Sequence, residues 1–167
     1  TLYLGVAPAA IQSMFYDERT DSLLAVYGRG AGILQLRTRR WIDLGNCTGI
    51  GTGAFPFRNI TISRSQVFAA LTDGKLVWAS LPWRPMAGQA LAFHPVTLPV
   101  ATNALAVDFD SNHRLYVSDA SRGLMEFEYV PNTGWRTPSR SWFSGLVPAG
   151  RRQCRHRTTR PVSSCWW

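Results

Sequence analysis

Arg114-Leu115-Tyr116-Val117, then Gly123-Leu124-Met125-Glu126-Phe127-Glu128-Tyr129, then Gly134-Trp135, is the stretch that decides the fold. It reads as two β-rich runs joined by a glycine-bearing turn, with a tryptophan just beyond. The same skeleton occurs twice earlier. Leu24-Ala25-Val26-Tyr27, Gly32-Ile33-Leu34-Gln35-Leu36 and Trp41 form one copy, and Val67-Phe68-Ala69-Ala70, Gly74-Lys75-Leu76-Val77-Trp78 and Trp83 another. Setting Asp17 on Asp108 and Gly32 on Gly123, with Tyr27 against Tyr116 after a shift of two residues, spans two repeats and makes each about 45 residues long, the length of one β-propeller blade.

Working outward, the strand runs are Ser22 to Tyr27, Gly32 to Leu36, Gln66 to Leu71, Lys75 to Ser80, His113 to Ser118 and Leu124 to Val130. Turn clusters separate them: Gly28-Arg29-Gly30, Thr72-Asp73-Gly74, Ser111-Asn112 and Pro131-Asn132-Thr133-Gly134. Asp73-Gly74 is a strong hairpin signal, because both residues reach φ > 0 at low cost. No long window shows apolar residues at helical spacing. The expectation is an all-β, propeller-like domain over 1–149, with repeats at about 9–52, 53–100 and 101–147, followed by a basic tail at 150–167. Three blades do not close a ring, so this is half of a six-bladed propeller or a fragment of one. A homodimer would supply six blades.

Composition agrees with a folded domain: 46% hydrophobic and 17% charged residues in a chain of 167 exclude a disordered chain. No apolar run is long enough to span a bilayer as a helix. The net charge is +8, of which Arg151, Arg152, Arg155, Arg157 and Arg160 supply five, leaving +3 for the rest. That tail reads as a solvated, poorly packed terminus, and no zinc, helix-turn-helix or RNP-like pattern accompanies it, so no nucleic-acid partner is expected. Cys47, Cys154 and Cys165 leave at least one thiol unpaired, and His156 near Cys154 matches no zinc framework. No metal and no cofactor are expected. Asn46-Cys47-Thr48 and Asn59-Ile60-Thr61 are N-glycosylation sequons, which favour a secreted or extracellular origin over the alternative, a cytoplasmic one.

In the third repeat the frame Arg114-Leu115-Tyr116, Gly123-Leu124 and Glu126 resembles the fungal fucose-specific lectin family. That family pairs an arginine with a glutamate twelve positions later on neighbouring strands and places a tryptophan beyond. Here Arg114 and Glu126 are twelve apart, with Trp142 further on. The likeness covers most of the chain loosely and the third repeat well. It implies a six-bladed propeller that binds fucosylated glycans without metal, at sites between adjacent blades, with an aromatic borrowed from the next blade. The residue chemistry suits a sugar. Arginine donates through a planar fork and glutamate accepts, so the two can bracket vicinal hydroxyls, and an aromatic ring covers the apolar face of fucose. The expected site is Arg114, Glu126, Trp142 and, second, Trp135. At the matching places repeat one carries Leu23 and Gln35, and repeat two carries Gln66 and Trp78, so those copies read as inactive. A bare surface ion pair between Arg114 and Glu126 is the competing reading of the same residues.

A second resemblance competes. Ala104-Leu105-Ala106-Val107-Asp108 and Leu115-Tyr116-Val117-Ser118-Asp119 are similar to repeats of NHL and gluconolactonase-like propellers. Those bind proteins or hydrolyse lactones with a metal held by acidic residues, for which Asp108, Asp110 and Asp119 would be offered. Aspartates at such places more often build turns. His94, His113 and His156 fit no triad, and Ser63, Ser65 and Ser118 no nucleophile elbow, so an enzyme is not expected.

Overall fold

In the computed structural model, which describes residues 10–138, twelve strands follow one another in three groups of four. The first blade holds β1 (Ile11–Asp17), β2 (Ser22–Tyr27), β3 (Gly30–Gln35) and β4 (Arg40–Asn46). The second holds β5 (Phe57–Ser63), β6 (Gln66–Leu71), β7 (Leu76–Ser80) and the two-residue β8 (His94–Pro95). The third holds β9 (Ala104–Phe109), β10 (Leu115–Asp119), β11 (Gly123–Val130) and β12 (Gly134–Arg136). Each group is an antiparallel sheet with its strands in chain order. The six expected strand runs all appear, shifted by two residues or fewer at their ends. Gly28-Arg29 is the β2–β3 turn and Asp73-Gly74 lies in the β6–β7 turn. The end of the third repeat and the basic tail lie outside the described residues, as do Cys154, His156 and Cys165.

The sheets stack face to face in the order first, second, third. β6 shows why. Val67, Ala69 and Leu71 face one way, into a core shared with Leu24, Val26, Ile33 and Leu44 of the first blade. Phe68 and Ala70 face the other way, into a core shared with Val107, Leu115, Val117 and Phe127 of the third. A strand buried on both faces has no polar side to show, so it reads as an unbroken apolar run rather than an alternating one. The innermost strands β1, β5 and β9 lie side by side. Polar side chains tie them: the Ile60 amide donates to Ser13 Oγ at 3.2 Å, the Val107 amide to Asn59 Oδ1 at 2.7 Å, and Thr61 Oγ1 to Asp108 Oδ1 at 3.0 Å.

Asn59 accepts the Val107 amide through its side-chain carbonyl and Thr61 is buried, so both residues of this sequon help bridge the second and third blades. Asp108 likewise serves the blade junction. Tyr27 and Tyr116, set together in the repeat alignment, are not equivalent. Leu24 and Val26 face the second blade, so Tyr27 points away from it, on the trailing face of its sheet; Leu115 and Val117 face back to the second blade, so Tyr116 points forward. The first hairpin turn spans four residues in the first blade and five in the third. One residue of slip exchanges the faces of a strand.

Asp119 fixes the outer end of β10. Its carboxylate accepts from the amides of Asn103 at 2.6 Å, Ser121 at 2.9 Å and Arg122 at 2.9 Å, and from Ser121 Oγ at 2.8 Å. The Asn103 amide first, then those of Ser121 and Arg122, outweigh burial and hold its pKa down to about 2. Asp110 closes the β9–β10 turn in the same manner, accepting from the amides of Asn112 and Arg114 at 2.9 Å each. Both aspartates are thus turn builders. Because the folded pKa of Asp119 lies below its unfolded value of about 3.9, its contribution is complete above about pH 4 and fades as pH falls through about 2. Melting followed from pH 5 to pH 2 should show a steeper loss for the parent than for Asp119→Ala; parallel curves would contradict this.

Candidate functional site

Arg114 and Glu126 meet, as the repeat pattern requires. Tyr116 is directly opposite Glu126 across the β10–β11 ladder, which puts Arg114 diagonally beside it on the same face. Arg114 Nη1 donates to Glu126 Oε1 at 3.0 Å. This is no bare surface pair, since the Glu126 side chain is 1% exposed and that of Arg114 31%. Burial works against the guanidinium charge, but the hydrogen bond and charge of Glu126 outweigh it and hold the Arg114 pKa above its usual value. Alongside, Arg136 Nε donates to Glu128 Oε1 at 2.8 Å.

Trp135 is not on that face. It pairs with Tyr129, which by alternation shares the side of Phe127, toward the second blade. There Trp135 meets Tyr129 at 5.3 Å and Phe68 and Phe109 at 6.1 Å each, ring centre to ring centre. The sheet of the third blade therefore stands between Trp135 and the Arg114–Glu126 pair, and no blade among the described residues packs on the face that carries the pair. Trp142 lies outside the described residues.

The residues that do converge line a cleft of about 990 Å³ between the second and third blades. Trp78, on the forward face of β7, forms the wall on one side, and Trp135 with Tyr129 the other. Phe68 and Phe109, edge to face with ring centres 4.7 Å apart, also line it. Gln66, Thr97 and Asn112 add neutral polar groups, and Arg64 and His113 stand at the mouth on the β5–β6 and β9–β10 turns. His113 Nδ1 and Ser63 Oγ, 2.9 Å apart, link the two turns.

The ladder explains this convergence. Trp78 pairs with Phe68 as Glu126 pairs with Tyr116. Gln66 and Trp78 thus occupy, in the second blade, the places Arg114 and Glu126 hold in the third. The copy that reads as inactive in the sequence faces a neighbouring blade and receives an aromatic from it. Trp78, Tyr129, Phe109 and Arg64 were absent from the expected site. The substitution of Trp78 for a glutamate was the one signal pointing to it.

The mouth of the cleft carries backbone strain. Ser63 pairs with Gln66, so Arg64-Ser65 is a two-residue hairpin turn, with φ of 49° and 66°. Both residues sit in the left-handed region that Asn-Gly adopts at least cost. The double substitution Arg64→Asn/Ser65→Gly should raise unfolding stability by about 1–2 kcal/mol. Denaturant titration checks this, and an unchanged or lower midpoint would refute it.

Among the described residues no cluster of three His, Cys, Asp or Glu side chains is placed to hold a metal ion. The Cys47 thiol is buried, and that burial, first of all, pushes its pKa up to about 12.

No family model matches the sequence, and no curated protein matches it. Solved structures do resemble it. The PQQ-bound aldose sugar dehydrogenase from Streptomyces coelicolor superposes with a TM-score of 0.56 at 16% identity, over 77% of this chain and 48% of that one. The extracellular domain of BT4673 from B. thetaiotaomicron, described as a proposed one-component system, superposes with a TM-score of 0.51 at 15% identity, over 82% of this chain and 18% of that one. The chain thus spans about half the length of the first of these and less of the second. At such identities the likeness speaks for the fold alone: an all-β, propeller-like stack of about three four-stranded blades.

Proposed function

We propose that this chain is a carbohydrate-binding propeller module whose sugar site is the cleft between the second and third blades. One observation carries the reading: Trp78 and Trp135, from neighbouring blades, line a single cleft of about 990 Å³ whose other lining groups include Gln66, Thr97 and Asn112. Aromatic faces cover the apolar face of a pyranose, and neutral amides both donate and accept toward its hydroxyls. A volume of this order accepts more than one sugar ring. Fucose is the first monosaccharide to test, on the strength of the third-repeat resemblance.

The test is titration calorimetry against a panel of monosaccharides and short glycans. Tyr129→Ala and Gln66→Ala remove lining groups that are not buried, so both variants should fold. Each is expected to weaken binding about tenfold, the scale of a contact worth 1.4 kcal/mol. No binding of any panel member at millimolar concentration would sink the proposal.

A protein-docking role is the second reading: Trp83 and Met86, on the loop between β7 and β8, are 82% and 65% exposed, and neighbouring exposed apolar side chains suit a docking surface. Trp83→Ala should leave sugar titrations unchanged if the cleft is the site.

A further inference from the structure

The charge around the cleft bears on which sugars it takes. Four charged or titratable residues lie along it, Arg64, Arg114, Glu128 and His113, and strand alternation turns the side chains of Arg114 and Glu128 toward the far face of the third blade. Two are neutralised within the third blade, Arg114 by Glu126 at 3.0 Å and Glu128 by Arg136 at 2.8 Å. The nitrogen Nδ1 of His113 is engaged by Ser63 Oγ. Arg64 has no ion-pair partner among the described residues. Its side chain is exposed. It is also held at the mouth by a turn whose two residues both have positive φ, a conformation that neither arginine nor serine favours. A left-handed arginine in a tight hairpin thus places a cation without an ion-pair partner among the described residues beside an aromatic-walled cleft. The planar fork of a guanidinium is suited to gripping a carboxylate with two parallel hydrogen bonds.

Resting on the sugar-binding reading above, we infer that the cleft selects an acidic saccharide of the uronate type, with its carboxylate on Arg64 and its ring between Trp78 and Trp135. The neutral groups Gln66, Asn112 and Thr97 then serve the ring hydroxyls. No partner carboxylate at the mouth has to be displaced for the ligand to bind.

The experiment compares trigalacturonate with its fully methyl-esterified form, which keeps every ring and turns each carboxylate into a neutral methyl ester. Both are titrated into the full chain and into Arg64→Asn, a change the left-handed turn accepts. The acid should bind the parent about tenfold more tightly than the ester. That advantage should shrink as salt rises, because the mouth is open to screening ions. In Arg64→Asn the acid and the ester should bind alike, and Arg64→Lys should restore part of the gap. Equal binding of acid and ester by the parent would overturn the inference while leaving the sugar site standing. So would a preference for the acid that survives Arg64→Asn. Binding of neither compound, together with an empty neutral panel, would remove the sugar site itself.

Discussion

Replacing Phe127 by alanine is expected to destabilise the fold by about 4 kcal/mol, the scale for truncating a fully buried phenylalanine. Phe127 is completely buried, opposite Leu115 in the ladder and inside the core formed by Phe68, Leu76, Val107 and Val117. That core lies behind the aromatic residues of the cleft. Phe127→Leu keeps most of the volume and should lose far less. Guanidinium unfolding monitored by tryptophan fluorescence measures both. A loss under about 1 kcal/mol for the alanine variant would mean that the second and third blades do not pack as described.

Gly49→Ala is expected to cost about as much, roughly 4 kcal/mol, by a different cause. Beyond β4 the chain pairs in parallel with the second blade at Thr48 and Ala92: the Thr48 amide donates to the Leu91 carbonyl and the Phe93 amide to the Thr48 carbonyl, each at 3.0 Å. Gly49 follows with φ of 75°, and a Cβ there would collide with the carbonyl oxygen of Phe93. The obstacle is backbone, so no side chain can yield. Gly51, with φ of 72° but open space around it, is the control. Gly51→Ala should show only the cost of the left-handed conformation, about 1 kcal/mol. Equal losses at the two positions would contradict the tight junction at Phe93.

Much of this fold was legible in the sequence because turns are written locally. Asp73-Gly74 and Gly28-Arg29 announce their hairpins through backbone freedom. The unbroken Val67 to Leu71 run records a strand buried on both faces. The Arg114–Glu126 contact was legible for the same reason, since a single hairpin brings the two together. Which face a residue occupies was not legible. The turns before β2 and before β10 differ by one residue in length, which is enough to separate Tyr27 from Tyr116. Trp135 follows the three-residue turn of Pro131, Asn132 and Thr133, and its face is set by the pairing of β12 with β11. Nor does local pattern reveal a site made by two blades. Trp78 reads as the loss of a glutamate until the third blade is seen to place Trp135 and Tyr129 at the same cleft.

A crystal structure of the chain soaked with the tightest sugar found by titration decides where the sugar sits. Electron density for a sugar ring is expected in the cleft between the second and third blades, against Trp78 and Trp135 and within hydrogen-bonding reach of Gln66 or Asn112. A ring bound instead on the opposite face of the third blade, bracketed by Arg114 and Glu126, with the cleft empty, would contradict it.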